Sequence, residues 1–251
     1  MHKSVSLFYD GERICSRILD KERHMTVNIK VLVGELIYLF LFFTLPLFLA
    51  AGTIAWLAGW IFLLLFFSFV FAITLWLFRH NPDLLKERMT ITRSDQKAWD
   101  KVGIALLYVV FLAWLVLMPL DAVRFHWTQV PVWLQAVGVI ALVCSFYLFF
   151  ATFRENSYLS PMVRIQQDRG QTVVSTGPYH YVRHPMYAAA LLFMLGTALL
   201  LGSGLGLLIV LIFAGMIAVR AVMEERTLRD ELQGYGTYML QVKYRLIPGV
   251  W

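Results

Sequence analysis

The residues best suited to chemistry fall in two stretches of the C-terminal part of the chain. The first, residues 155–187, reads ENSYLSPMVRIQQDRGQTVVSTGPYHYVRHPMY, and Tyr179, His180, Tyr181, Arg183, His184 and Tyr187 crowd its end. Gly170 and the Gly177–Pro178 pair mark turns, with a short extended piece expected over 171–175. Pro185 suits the first turn of a helix, where its missing N–H costs nothing. His184 then stands at the mouth of that helix, where free N–H groups favour a carboxylate or a phosphate, and Arg183 adds positive charge beside it. The second stretch, from residue 220, reads RAVMEERTLRDELQGYGTYMLQVKYRLIPGVW. Arg220, Glu224 and Leu228 are spaced i, i+4, i+8 and share one helix face, with Glu225 to one side. Gly234 and Gly236 are expected to break this helix, and the aromatic tail that follows to fold back on the membrane face. Both stretches also admit a plainer explanation. The first has the composition of an aromatic and basic belt at a membrane interface, and Arg220 with Glu224 is also the spacing of an exposed helix pair worth about 0.3–0.5 kcal/mol.

The elements that must position these residues are membrane helices. Of 251 residues, 59% are hydrophobic and 15% charged, against about 45–50% and about 25% in soluble domains. That excludes a soluble dinucleotide-binding enzyme, a disordered chain and a secreted disulfide scaffold, and Cys15 and Cys144 are too few for a disulfide framework. A hydrocarbon core of about 30 Å needs roughly 20 apolar residues per helix. Residues 31–51, 54–78, 102–120 and 131–153 meet this. The apolar stretch 187–219 is too long for one helix and is interrupted by Gly202, Ser203, Gly204 and Gly206, so it reads as a hairpin of 187–201 and 205–222 with a short first arm. The expected fold is therefore all-α and integral to the membrane, with about six transmembrane helices, or five if the hairpin does not fully cross.

Charge sets the expected orientation. Of the 22 lysines and arginines, 21 fall in the segment up to Lys30, in 79–101, in 154–186 and in the tail from Arg220; Arg124 alone lies elsewhere. Basic loops face the cytoplasm, so both termini and the loops 79–101 and 154–186 are expected there. Three regions follow: a polar cytoplasmic segment 1–28, read as such rather than as a signal peptide; a four-helix membrane region 29–153; and a catalytic core 154–251. Arg220 ends an apolar span, where a charge needs a partner or a ligand.

Other features carry less. GSGLG at 202–206 follows a transmembrane helix rather than a strand and reads as a structural turn, not a nucleotide loop. His2, His24, His80 and His126 have no metal-ligand spacing, so no metal is expected. The net charge of +6 is assigned to membrane topology and not to nucleic acid.

Taken together, GPYHYVRHPMY, the hairpin, RAVMEERTL and GYGTYMLQVKYRLIPGVW resemble the isoprenylcysteine carboxyl methyltransferase family, most of all its bacterial branch of unassigned substrate. NPDLLKERM and DQKAWDK are similar to the same branch, so the resemblance runs over roughly residues 79–251. It implies an S-adenosylmethionine-dependent methyltransferase in a prokaryotic plasma membrane. The implied cofactor pocket faces the cytoplasm, between the loop before the hairpin and the tail, and a lipophilic substrate enters it from the bilayer. By motif, the implied cofactor residues are Gln171, Thr172, Val173, Val174, Tyr179, His184, Pro185, Met186, Tyr187 and Glu224, with Arg220 at the substrate position and Arg220 and Glu224 as the catalytic pair. The family often has histidine where this chain has Gln171. The expected reaction is O-methylation of an isoprenylcysteine-type carboxylate. An NADPH-dependent sterol-type reductase and a phospholipid N-methyltransferase are the alternatives.

Overall fold

Asn28 starts the first helix by accepting hydrogen bonds from the backbone N–H groups of Lys30 and Val31, so the helix begins where the apolar run does. The computed structural model describes residues 28–90 and 95–251. The polar segment expected over 1–28, with Cys15, His2 and His24, lies outside the described residues except for Asn28. Helix α1 (Ile29–Ala51) ends at Gly52, whose φ of 72° is the left-handed geometry of a helix C-cap. Then follow α2 (Leu57–His80), α3 (Pro82–Met89), α4 (Ala98–Pro119), α5 (Val132–Glu155), α6 (Pro185–Leu200), α7 (Gly204–Glu231) and α8 (Tyr235–Gln241). There is no strand among the described residues, so the extended piece expected over 171–175 is irregular backbone.

The chain is an all-α, multi-pass integral membrane protein. Among the described residues five helices are long and apolar enough to cross: α1, α2, α4 with its extension, α5 and α7. The short arm of the hairpin is α6, whose 16 residues reach about 24 Å. It survives as a short helix because protein surrounds it. Ala189, Phe193, Met194 and the run from Gly196 to Leu200 are buried. Its backbone presses on α5 at two glycines. A Cβ on Gly138 would stand 2.5 Å from the Leu200 nitrogen, and one on Gly196 would stand 2.8 Å from the Leu142 nitrogen. Small residues of this kind let membrane helices approach where no hydrophobic effect drives them together.

Three boundaries differ from expectation. The segment 79–101 is not a simple loop but contains α3, because Asn81 both ends α2 and caps α3 through the Leu84 N–H at 3.2 Å. Helix α7 does not stop near residue 222 but runs on to Glu231. Of the two tail glycines, only Gly234 breaks the helix, at φ 85°; Gly236 lies inside α8.

The core is aromatic. Phe193 of α6 lies 5.7 Å from Phe66 and 6.2 Å from both Phe62 and Phe146, ring centre to ring centre. Leu49, Leu64, Tyr147 and Leu211 point outward and are exposed, as lipid-facing side chains are. At one end of the bundle Pro119 interrupts α4, and the chain continues as a π turn, Leu120–Phe125. That turn carries Asp121, fully buried, which accepts from the Thr128 N–H and hydroxyl, the Ser203 hydroxyl and the Leu205 N–H at 2.6–3.1 Å. GSGLG is thus a structural turn held by a buried carboxylate.

Candidate functional site

At the opposite end the linker between α5 and α6 lies across the bundle, and three clusters tie it down. Arg164 donates twice to Glu87 of α3, at 3.0 and 3.1 Å, and once each to Asp95 and Asp168. Asp100, fully buried in the first turn of α4, accepts from the Val163 N–H at 2.8 Å and from Arg220 Nε at 3.0 Å. Arg220 Nη2 also reaches Asp100, at 2.9 Å, and the Pro161 carbonyl at 2.8 Å. Asn156 donates to the Tyr179 hydroxyl at 2.8 Å.

The tail then closes over the linker. Buried Glu225 accepts from Arg183 Nε at 2.6 Å and Arg245 Nε at 2.9 Å, and its Oε1 lies 3.2 Å from His184 Nε2. Arg183 Nη1 donates to the Val242 and Lys243 carbonyls, and the backbone N–H groups of Arg183 and His184 donate to the Tyr244 and Arg245 carbonyls. The Tyr238 hydroxyl donates to the Tyr179 carbonyl at 2.7 Å. Burial pushes the Tyr179, Tyr235 and Tyr238 hydroxyls well above the usual phenol range, so they act as neutral groups.

These contacts enclose a cavity of about 360 Å³, within the size range of small-molecule sites. Its outer part is lined by Asn156, Tyr158, 171–174, Tyr179, Glu224, Tyr235 and Tyr238. Its inner part runs between the spans and is lined by Leu107, Phe149, Ala190, Phe213 and Ile217. Gln171, Thr172, Val173, Val174, Tyr179, His184, Met186, Tyr187, Arg220 and Glu224 all line this one cavity; Pro185 does not, being buried as the first residue of α6.

The geometry changes what several of them are free to do. His184 caps α6 as expected, but its imidazole is engaged by Glu225 and stacks on Tyr187 at 5.3 Å. Arg183 is consumed by Glu225 and tail carbonyls, so it does not stand free at the helix mouth. Gln171 uses its amide oxygen to accept from the Gln166 N–H at 2.7 Å. Glu224 does not pair with Arg220. It accepts from the Tyr187 hydroxyl through Oε2, and Oε1 has no hydrogen-bond partner among the described residues. Arg220 is instead neutralised by Asp100, with Nη1 left over.

Sequence reasoning missed Asp100, Glu225 and Arg164. An acidic residue in the first turn of an apolar helix is a signal that could have found Asp100, because a carboxylate there needs a cation. Nothing local identifies Glu225 over Glu224. They are adjacent, and only the packing of the tail decides which one faces inward.

Residues 133–234 match the family model described as phospholipid methyltransferase. The match spans nearly all of α5, the linker, α6 and α7, and it contains every expected site residue. It does not single out the isoprenylcysteine branch. No curated protein matches the chain. The likeness supports a membrane-embedded methyltransferase acting on a lipid.

Proposed function

We propose that the chain is an S-adenosylmethionine-dependent methyltransferase whose acceptor is a lipid entering from the bilayer. One observation carries this reading. All the residues assigned to donor and acceptor by motif, except Pro185, line a single cavity that is polar under the tail and apolar between the spans. The donor has an amino acid, a ribose, an adenine and a sulfonium, and the outer part offers groups that suit them. Glu224 has an open oxygen for an amine or a ribose hydroxyl. Tyr235 lines the cavity, and its hydroxyl is buried with no hydrogen-bond partner among the described residues, which is costly unless a ligand supplies one. Tyrosine faces at 179, 187, 235 and 238 can pack a purine or attract a sulfonium.

When bound, S-adenosylmethionine supplies an electrophilic methyl group. The protein's task is to hold the acceptor in line and keep water away, and good orientation can contribute about 7–11 kcal/mol. Tyr187 links the two parts: its hydroxyl bonds Glu224, and the Arg220 guanidinium stands 5.6 Å from its ring. Among the described residues His184 is the one imidazole lining the cavity, and its Nε2 is tied to Glu225 Oε1. A carboxylate acceptor of the isoprenylcysteine type needs no base, because it is already ionised. That favours O-methylation. The family match favours a second reading, N-methylation of a phospholipid amine, with Glu224 as the nearest open proton acceptor.

The test uses the purified protein in nanodiscs with methyl-labelled S-adenosylmethionine and a panel of prenylated or acylated cysteines and aminophospholipids. Label should appear in the lipid phase. Base-labile label marks an ester and base-stable label an amine. Failure to bind S-adenosylmethionine together with binding of NADPH would replace this reading with the reductase. The cavity mouth is proposed to face the cytoplasm. External labelling in intact cells of a cysteine placed at the exposed Gln167 would reverse that orientation.

A further inference from the structure

Arg88 of α3 lines the same cavity, yet its guanidinium has no ion pair and no hydrogen bond among the described residues. Its guanidinium carbon lies 4.7 Å from the centre of the Phe153 ring. Carboxylates are not scarce in this region. Arg164 takes three of them, including Glu87, the residue immediately before Arg88 in the chain. Arg220, the arginine the motif assigns to the substrate, has its charge compensated by Asp100. Arg88 is half-buried, and desolvation without a partnering carboxylate among the described residues pulls its pKa down to about 10, the direction expected where a positive charge goes uncompensated. The ring contact does not use the guanidinium N–H groups, which stay free to donate to an oxyanion. Phe153 follows Phe149 by one helical turn of α5, and Phe149 lines the apolar inner part of the cavity.

We infer that Arg88 is the binding residue for the oxyanion in the head of the acceptor lipid, a phosphodiester or a carboxylate, while Arg220 holds the site together through Asp100. This rests on the lipid methyltransferase reading and deepens it: the acceptor is an acidic lipid, and α3 sets that preference. The shared chemistry is a singly charged oxyanion on an apolar tail, and a planar fork of N–H donors suits both kinds.

The experiment measures equilibrium binding of three probes with one tail to the full chain in amphipol: dodecyl methyl phosphate, dodecanoate and dodecanol. The native protein should bind at least one anionic probe about tenfold more tightly than dodecanol. Arg88→Gln should remove that preference and leave dodecanol binding within about twofold, with the thermal unfolding temperature as the control for folding. If that variant does not fold, Arg88→Met, which keeps the apolar stem, takes its place. A phosphodiester preference identifies a phospholipid head, and a carboxylate preference identifies a lipid acid. The inference is overturned if the native protein shows no anion preference, or if the preference survives in the Arg88 variant. Because binding is read without methyl transfer, an anion preference that depends on Arg88 in a protein with no transferase activity would sink the methyltransferase reading and leave the anion site standing.

Discussion

The two ends of the helix bundle both bury charge, and they do so differently. At the Asp121 end the carboxylate accepts four hydrogen bonds, and the hydroxyls that donate to it are themselves used again, Thr128 by the Gly204 N–H and Ser203 by the Gly206 N–H. Each hydroxyl and carboxylate oxygen of Asp121, Thr128 and Ser203 has a hydrogen-bond partner among the described residues. At the other end Asp100, Glu225 and Arg164 are equally well satisfied, but they form a frame around a cavity whose lining residues Glu224, Tyr235 and Arg88 keep polar groups with no hydrogen-bond partner among the described residues: Glu224 Oε1, the Tyr235 hydroxyl and the Arg88 guanidinium. A saturated polar cluster holds a turn in place. An unsaturated lining inside a saturated frame is what a ligand completes.

Breaking the frame should have the largest effect. Arg220→Ala leaves Asp100 buried without its cation and should cost about 3–5 kcal/mol of stability, whereas Asp100→Leu combined with Arg220→Met should recover most of it. Reversible unfolding in mixed micelles measures both. Full stability in the single variant would mean that Arg220 is not part of the frame. At the far end, Asp121→Ala strands several buried donors and should cost about 3 kcal/mol, yet the surviving folded protein should bind S-adenosylmethionine as well as before. A weakened donor site there would erase the distinction between the ends.

Gly138→Ala should cost about 1–3 kcal/mol, because its Cβ meets Leu200 backbone rather than a movable side chain. The same unfolding assay reads it. In the lining the order of effects reverses: Glu224→Ala should leave stability nearly unchanged but weaken S-adenosylmethionine about tenfold, roughly 1.4 kcal/mol. Calorimetric titration showing unchanged affinity would remove Glu224 from the donor site. The smallest effect is expected from Tyr235→Phe. Deleting a hydroxyl that has no partner among the described residues should not destabilise the protein, and donor affinity should fall about threefold. A clear loss of stability would show that the hydroxyl is satisfied in the free protein.

The sequence by itself determined the membrane class, the helix-rich fold, the position of the hairpin and the two stretches that build the cavity. Those properties are written in runs of apolar residues and in local spacing: Pro185 and Gly202 act within a few residues of themselves, and Arg220, Glu224 and Leu228 share a face by helical geometry alone. What only the tertiary structure decided is which charge meets which. Arg220 turns to Asp100, 120 positions earlier, rather than to Glu224 one turn away. His184 and Arg183 turn to Glu225, more than 40 positions later. Among the described residues Arg88 meets no carboxylate, while Arg164 meets three. The physical reason is that burial makes each charge seek the best-placed opposite charge in three dimensions, and helical periodicity carries no information about neighbours brought in from other helices.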